Sequence, residues 1–319
     1  SKDLKNWKYL SEFGKNIGAH GGVWECPDFF QIKVEGTKET KWVLIQNLNP
    51  GGANGGSGTQ YFIGDFDGKT FTMDSNFAKR VNDENAVWLD YGKDNYAGVT
   101  WNNVPNTDGR RLFIGWMSNW DYAQQVPTTA WRSATTIARE IQLVKKGNDY
   151  SLINFPVKEI NKYISKSIKV KSLKGKEKLV IVEDGKVDLT QAIVNFNIKN
   201  LKQDSYTFTL SNAAGESLTF GINNSDHYLF LDRSKAGRID FSDKFASTIT
   251  KADLDENQKE GTFKIILDKT SIEIFYNNGE KVITEIFFLN QPFTALSVSS
   301  NQEIELSNIE INQLKISQK

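Results

Sequence analysis

An all-β chain in two parts is the fold that this sequence predicts, on three observations. Apolar residues recur with period 2 rather than 3.6 almost throughout. Turn-forming residues interrupt the alternating runs at short intervals. All eight tryptophans (Trp7, Trp24, Trp42, Trp88, Trp101, Trp116, Trp120 and Trp131) lie early in the chain, so the two parts differ in aromatic usage. Residues 161–185 are rich in lysine and poor in aromatics, which suits a boundary. The break is placed near Phe155–Ile164, giving parts 1–158 and 159–319.

In the first part, Lys41–Asn47, Gln60–Gly64, Arg111–Trp116 and Ala134–Leu143 read as strands. Glycine-rich loops lie between them, and Pro50–Gly58 reads as a surface loop. Strand clusters with Gly and aromatic residues fit propeller blades or a barrel, although no clean repeat is visible. In the second part, Val194, Phe196 and Ile198 alternate with Asn195 and Asn197, and Tyr206, Phe208 and Leu210 with Thr207 and Thr209. Phe263, Ile265 and Leu267 share a face, and Ile272 and Ile274 another after the Lys269–Thr270 turn. The turn at Asn277–Gly279 leads to a strand over Val282–Phe288. Short alternating strands of this kind describe a β-sandwich, with these apolar residues as its core.

Composition narrows the function classes. The chain has 319 residues, with 39 Lys+Arg against 39 Asp+Glu. Zero net charge removes the electrostatic argument for a nucleic-acid or anionic-membrane partner. No apolar run approaches the roughly 20 residues of a membrane helix. The segment SKDLKNWKYL lacks the apolar stretch of a secretory signal. One cysteine excludes an internal disulfide. Two histidines far apart and one cysteine argue against a zinc site, there is no Walker or GxGxxG phosphate loop, and no cofactor is implied.

Three clusters carry candidate chemistry. The first is HGGVWECPDFF, where Glu25 stands between Trp24 and Cys26-Pro27. A desolvated glutamate has its pKa raised and serves as a general acid near neutral pH. By themselves the same residues also fit a strand-edge glutamate beside a buried structural thiol. The second is GWMSNWDYAQQVPTTAW, residues 115–131, whose rings and amides are what a sugar site needs, or else core tryptophans of a β-domain. The third, Asp90–Ala97, reads alone as a turn.

Together HGGVWECPDFF, GGSGTQYFIGDFDG, LDYGKDNYAGVTW, DGRRLFIGWMSNWDYA and VPTTAWRSATTIARE resemble, in order and spacing, the later part of the catalytic domain of glycoside hydrolase family 32. The exo-acting fructanases (levanases, exo-inulinases, fructan β-fructosidases) are the most similar members. LDRSKAG and LDKTSIEIFYNNGE resemble that family's appended β-sandwich. The resemblance implies part of a five-bladed β-propeller, about the last two blades, followed by a β-sandwich. It implies retaining cleavage of β-fructosidic bonds in levan, inulin or sucrose, without cofactor or metal, by an enzyme acting outside the cell or in the periplasm. Glu25-Cys26-Pro27 matches the E-C-P motif, which makes Glu25 the general acid/base, with Cys26 tuning its pKa. Tyr96, Asn119 and Trp120 fall in motifs that line the fructose pocket, and Trp24 is a candidate wall. Asn95 stands where an aromatic is more usual.

The other two acidic motifs of the family, W-M-N-D-P-N-G with the nucleophile and R-D-P with the transition-state stabiliser, both contain Asp-Pro. None of the six prolines here follows an aspartate. The sequence therefore predicts a chain that lacks the nucleophile half, is inactive alone, and takes the missing half of the propeller as partner. A non-catalytic fructan-binding module and a structural half of a split enzyme are the alternatives.

Overall fold

The computed structural model describes residues 1–82, 85–105, 107–256 and 258–316. Among these residues the regular elements are strands and three short 3-10 helices, the latter at Phe77–Arg80, Lys158–Tyr163 and Asn277–Gly279.

The strands form three sheets. The first contains β1 (Val23–Lys33), β2 (Thr40–Asn49), β3 (Gly58–Phe66) and β4 (Phe71–Met73) in sequential antiparallel order, with β5 (Trp88–Asp90) paired to β3. The second contains β6 (Tyr96–Thr100), β7 (Arg111–Met117), β8 (Ala134–Thr135), β9 (Arg139–Lys146) and β10 (Asp149–Pro156), along the path β10-β9-β7-β6 with β8 beside β7. The strand anticipated over Ala134–Leu143 is thus two strands, because residues 136–138 leave the ladder and Thr136 bonds Gly115 instead. Val43, Ile45, Tyr61, Ile63, Phe113, Ile141 and Leu143 form a core shared by both sheets.

The third sheet holds β11 (Ile164–Val170), β12 (Leu173–Val182), β13 (Ala192–Lys199), β14 (Ser205–Ser211), β15 (Ser217–Asn223), β16 (Tyr228–Lys235), β17 (Thr250–Asp253), β18 (Glu260–Asp268), β19 (Ser271–Tyr276), β20 (Lys281–Ile286) and β21 (Ala295–Leu314). The alternating residues of β13 and β14 do bury one face: the Phe196 and Phe208 rings meet at a tilt, 4.6 Å apart, and Phe196 stacks on Phe263 at 4.9 Å. The two layers of the sandwich are joined through a shared strand. The 20-residue β21 pairs by its first half with β14 and β12, and by its second half with β13 and β11. One continuous, nearly closed sheet results. Its length lets one strand serve both layers, while bulges in its partners absorb the twist.

The aspartate-rich turn between β5 and β6 seats the third sheet on the other two. Tyr91 N donates to Val282 O (2.8 Å) and Asp94 N to Thr284 O (3.1 Å), so this turn is buried rather than a surface feature.

Candidate active site

Glu25 stands at a break in the β1–β2 ladder. Glu25 pairs with Asn47 and Asp28 with Ile45, so β1 takes three steps where β2 takes two. The extra residue makes a β-bulge at Cys26-Pro27, a device that re-aims a side chain. Pro27 has no N–H to give the ladder, so it fits where pairing lapses. Cys26 takes φ 48°, a left-handed conformation uncommon outside glycine. Two amides of β2 hold the bulge: Gln46 Nε2 donates to Glu25 O (2.9 Å) and Asn47 Nδ2 to Cys26 O (3.3 Å). Asn47 also exchanges bonds with Gly98 on β6, as donor to its carbonyl and acceptor from its N–H, both 3.1 Å. Asp28 Oδ2 accepts from Thr100 N (2.6 Å). The bulge is thereby tied to both sheets.

The Glu25 carboxylate faces a cavity of about 480 Å³ lined by Glu25, Cys26, Tyr96, Ala97, Trp116, Trp120, Ala123, Gln124, Arg132 and Ser133. Tyr96 donates its phenolic proton to Glu25 Oε2. Burial first, and this bond second, hold the Tyr96 hydroxyl above its ordinary pKa, so it remains a donor. Trp116 lies edge-on to Tyr96 at 6.3 Å, and Trp120 lies 5.0 Å from Trp116, half of its surface open at 49%. An acid, an aromatic wall and the Arg132 cation thus face one opening.

Four of the sequence-derived residues meet here: Glu25, Cys26, Tyr96 and Trp120. Asn119 stands behind the wall. Its amide donates to Lys93 O (2.8 Å) and Gly55 O (3.3 Å) and accepts from Ser57 N (3.2 Å) and Asp121 N (3.0 Å). It orients Trp120 instead of touching the opening. Trp24 turns away, because it neighbours Glu25 on a strand and successive side chains point to opposite faces. Its indole donates to Ala19 O (2.9 Å), stacks on His20 at 5.0 Å and packs near Phe62 at 5.7 Å. Trp24 therefore packs on the first sheet and does not line this cavity. Glu25 and Cys26 are both exposed, contrary to the apolar setting that Trp24 and Pro27 suggest and to the buried-thiol alternative.

The loop Pro50–Gly58 is likewise no bare surface loop. Gly55 and Ser57 anchor Asn119, and Ser57 Oγ accepts from Trp120 N (3.2 Å). Sequence reasoning also passed over Gln46, Asn47, Gln124 and Arg132. The available signal for the first two was a pair of adjacent amides ending an otherwise apolar strand.

Residues 1–156 match the model described as "Glycosyl hydrolases family 32 N-terminal domain" and residues 159–316 the one described as "Glycosyl hydrolases family 32 C terminal". A levanase of Bacillus subtilis is 37% identical over 99% of this chain and 46% of its own length. An extracellular exo-inulinase of Aspergillus niger is 34% identical over 98% of this chain and 59% of its own. Among solved structures, exo-inulinase from Aspergillus awamori superposes with a TM-score of 0.84 at 29% identity, covering 99% of this chain and 61% of that one. A β-fructofuranosidase from Schwanniomyces occidentalis, complexed with fructosyl-erythritol, gives 0.80 at 28% identity, covering 98% of this chain and 64% of that one. The chain spans about half the length of the curated relatives it matches.

Proposed function

The chain belongs to glycoside hydrolase family 32, and we propose that it carries the acid/base side of a retaining β-fructosidase acting on levan, inulin or sucrose. The hydrogen bond from Tyr96 to Glu25 at the mouth of an aromatic-walled cavity is the observation that supports this most. It fixes one carboxyl oxygen and leaves Oε1 to the glycosidic oxygen. Glu25 protonates the leaving oxygen, and its carboxylate then takes the proton of the attacking water. Trp116 and Trp120 offer stacking faces to the sugar. Cys26 sits next to this carboxyl on the bulge.

A retaining mechanism requires a second carboxylate about 5 Å away, and Glu25 is the only carboxylate among the described residues lining the cavity. The nucleophile is accordingly assigned to polypeptide bearing the W-M-N-D-P-N-G and R-D-P motifs. In this reading the first two sheets are two blades of a five-bladed propeller, the division falls at 158/159, and the protein works outside the cell or in the periplasm, as relatives named extracellular do.

Fructose release from levan, inulin and sucrose tests the proposal, first with this chain and then with the chain extended by a segment carrying both motifs. The expected result is no turnover by the chain and turnover by the extended form. There Glu25→Gln lowers kcat by about 10²–10⁴ on substrates with poor leaving groups. Turnover by the isolated chain that Glu25→Gln abolishes would refute the assignment of the nucleophile elsewhere. Undiminished turnover by the extended Glu25→Gln form would refute the acid/base role. The single carboxylate also favours a second reading, fructan binding without catalysis, which calorimetry with fructo-oligosaccharides would reveal as micromolar binding.

A further inference from the structure

The two walls of the cavity share one anchor, and it comes from the third sheet. Tyr96 and Ala97, on one wall, follow Asp94 closely in sequence. Trp120, Ala123 and Gln124, on the other, surround Tyr122. Asp94 and Tyr122 are buried at 0% and 1% exposure and bond each other, Tyr122 Oη donating to Asp94 Oδ1 at 2.7 Å. Arg233 of β16, 3% exposed, reaches both. Its Nη1 donates to Asp94 Oδ2 (2.6 Å) and its Nη2 to Tyr122 Oη (2.8 Å).

The other donors of the guanidinium are committed as well. Nε and Nη2 give to Phe245 O (3.0 and 2.6 Å), Nη1 gives to Ile286 O (2.9 Å), and Glu285 Oε2 stands 2.6 Å from Nη1. The planar fork lies 3.9 Å from the centre of the Phe245 ring, which sets its tilt. A rigid fork with every direction used fixes both partners at once, which a flexible ammonium does not.

We infer that Arg233 is a positioning residue for the acid/base site: it clamps Asp94 to Tyr122 and so sets how Tyr96 meets Glu25 and where Trp120 stands. The third sheet is on this account part of the active-site scaffold and not an appended module. The inference rests on the acid/base reading of Glu25, but its geometric content can be read without turnover.

Cys26 supplies that readout, being the sole cysteine, exposed, and adjacent to Glu25 on the bulge. N-ethylmaleimide labelling of the chain would be compared in Tyr122→Phe, Arg233→Lys and a control, Phe220→Leu, which thins the core of the third sheet at a fully buried ring. Both clamp variants should change the Cys26 labelling rate by about threefold or more, the scale of one lost hydrogen bond. Phe220→Leu should label at the wild-type rate although it melts earlier. Wild-type labelling in Tyr122→Phe, which keeps the ring and folds even if Arg233→Lys does not, would overturn the clamp, as would an equal change in Phe220→Leu. In the extended enzyme the clamp variants should lower kcat more than they raise KM and displace the alkaline limb of the pH profile. Unaltered kcat and limb, with labelling changed, would confine Arg233 to shaping the walls and refute its link to the acid/base. Full activity of Glu25→Gln would remove the acid/base reading itself, which is measured separately.

Discussion

Glu25 and Asp90 are both carboxylates fixed by neighbours, and their surroundings are opposite. Asp90 is 2% exposed. It accepts from Arg139 Nη1 (2.8 Å), Thr284 Oγ1 (2.6 Å), Asn95 Nδ2 (3.0 Å), Gly92 N (2.8 Å) and Thr284 N (3.1 Å). Glu25 is exposed and its carboxylate takes one side-chain bond, from Tyr96. Burial raises the Asp90 pKa, but Arg139, Thr284 and Asn95 more than offset it and leave the group below its ordinary value. A carboxylate saturated with donors is locked in one protonation state. One that is oriented by a single donor and open to water can pass a proton in both directions, as an acid/base must. In this molecule dense ionic bonding marks the seam between sheets, whereas the proposed acid/base is held by one donor and left open to water.

Removing the partner of the locked group is the most direct way to break this contrast. Arg139→Met leaves Asp90 and Glu273 buried without their shared cation, and should cost about 3–5 kcal/mol of stability in urea unfolding. Glu25→Gln should stay within about 0.5 kcal/mol, as an exposed change does. Equal midpoints for the two would erase the distinction. A smaller effect is expected where the loop supports the wall. Gly56 has φ +66°, and a Cβ there would come 2.0 Å from Asn119 Oδ1. Gly56→Ala should cost about 1–3 kcal/mol and shift tryptophan emission as Trp120 loses its Ser57 anchor. Unchanged emission with lowered stability would mean that the loop does not hold Trp120.

Local chemistry was legible in the sequence, and long-range pairing was not. Glu25-Cys26-Pro27 is contiguous, so the motif that carries the family resemblance stands in adjacent letters, as does the alternation of Val194, Phe196 and Ile198. Glu25 and Trp24 are also adjacent, yet the bulge and the strand pleat send them to different places, and only the register of β1 on β2 reveals it. Nothing beside Arg139 or Arg233 in the sequence marks either as buried. Their burial depends on Asp90, Asp94 and Glu273, which lie as far as 139 residues away in the chain. The double service of β21 is invisible for the same reason, since alternation specifies a strand's faces and not its neighbours.

The pH dependence of stability sharpens the contrast within the seam itself. Asp90 lies below its ordinary value of 3.8, so the native state binds fewer protons there than the unfolded chain. Its contribution is present above that value and is lost as pH falls below it. Glu273 has the opposite sign: burial raises it above 4.5 despite the Arg139 charge and the Ile137 N–H. It penalises folding at neutral pH, and the penalty is relieved as pH falls through its raised native pKa toward 4.5. Glu285, also raised by burial, acts in the same direction. Glu273→Gln should therefore change stability less favourably than wild type between pH 7 and about 4.5, because one source of acid-side gain is gone. Below about 3.8, where Asp90 and the other depressed carboxylates common to both proteins take up protons, the two should fall in parallel. Urea midpoints across this range decide it: curves that run parallel from pH 7 downward would show that Glu273 titrates alike in both states, and that the buried seam does not divide its carboxylates as described.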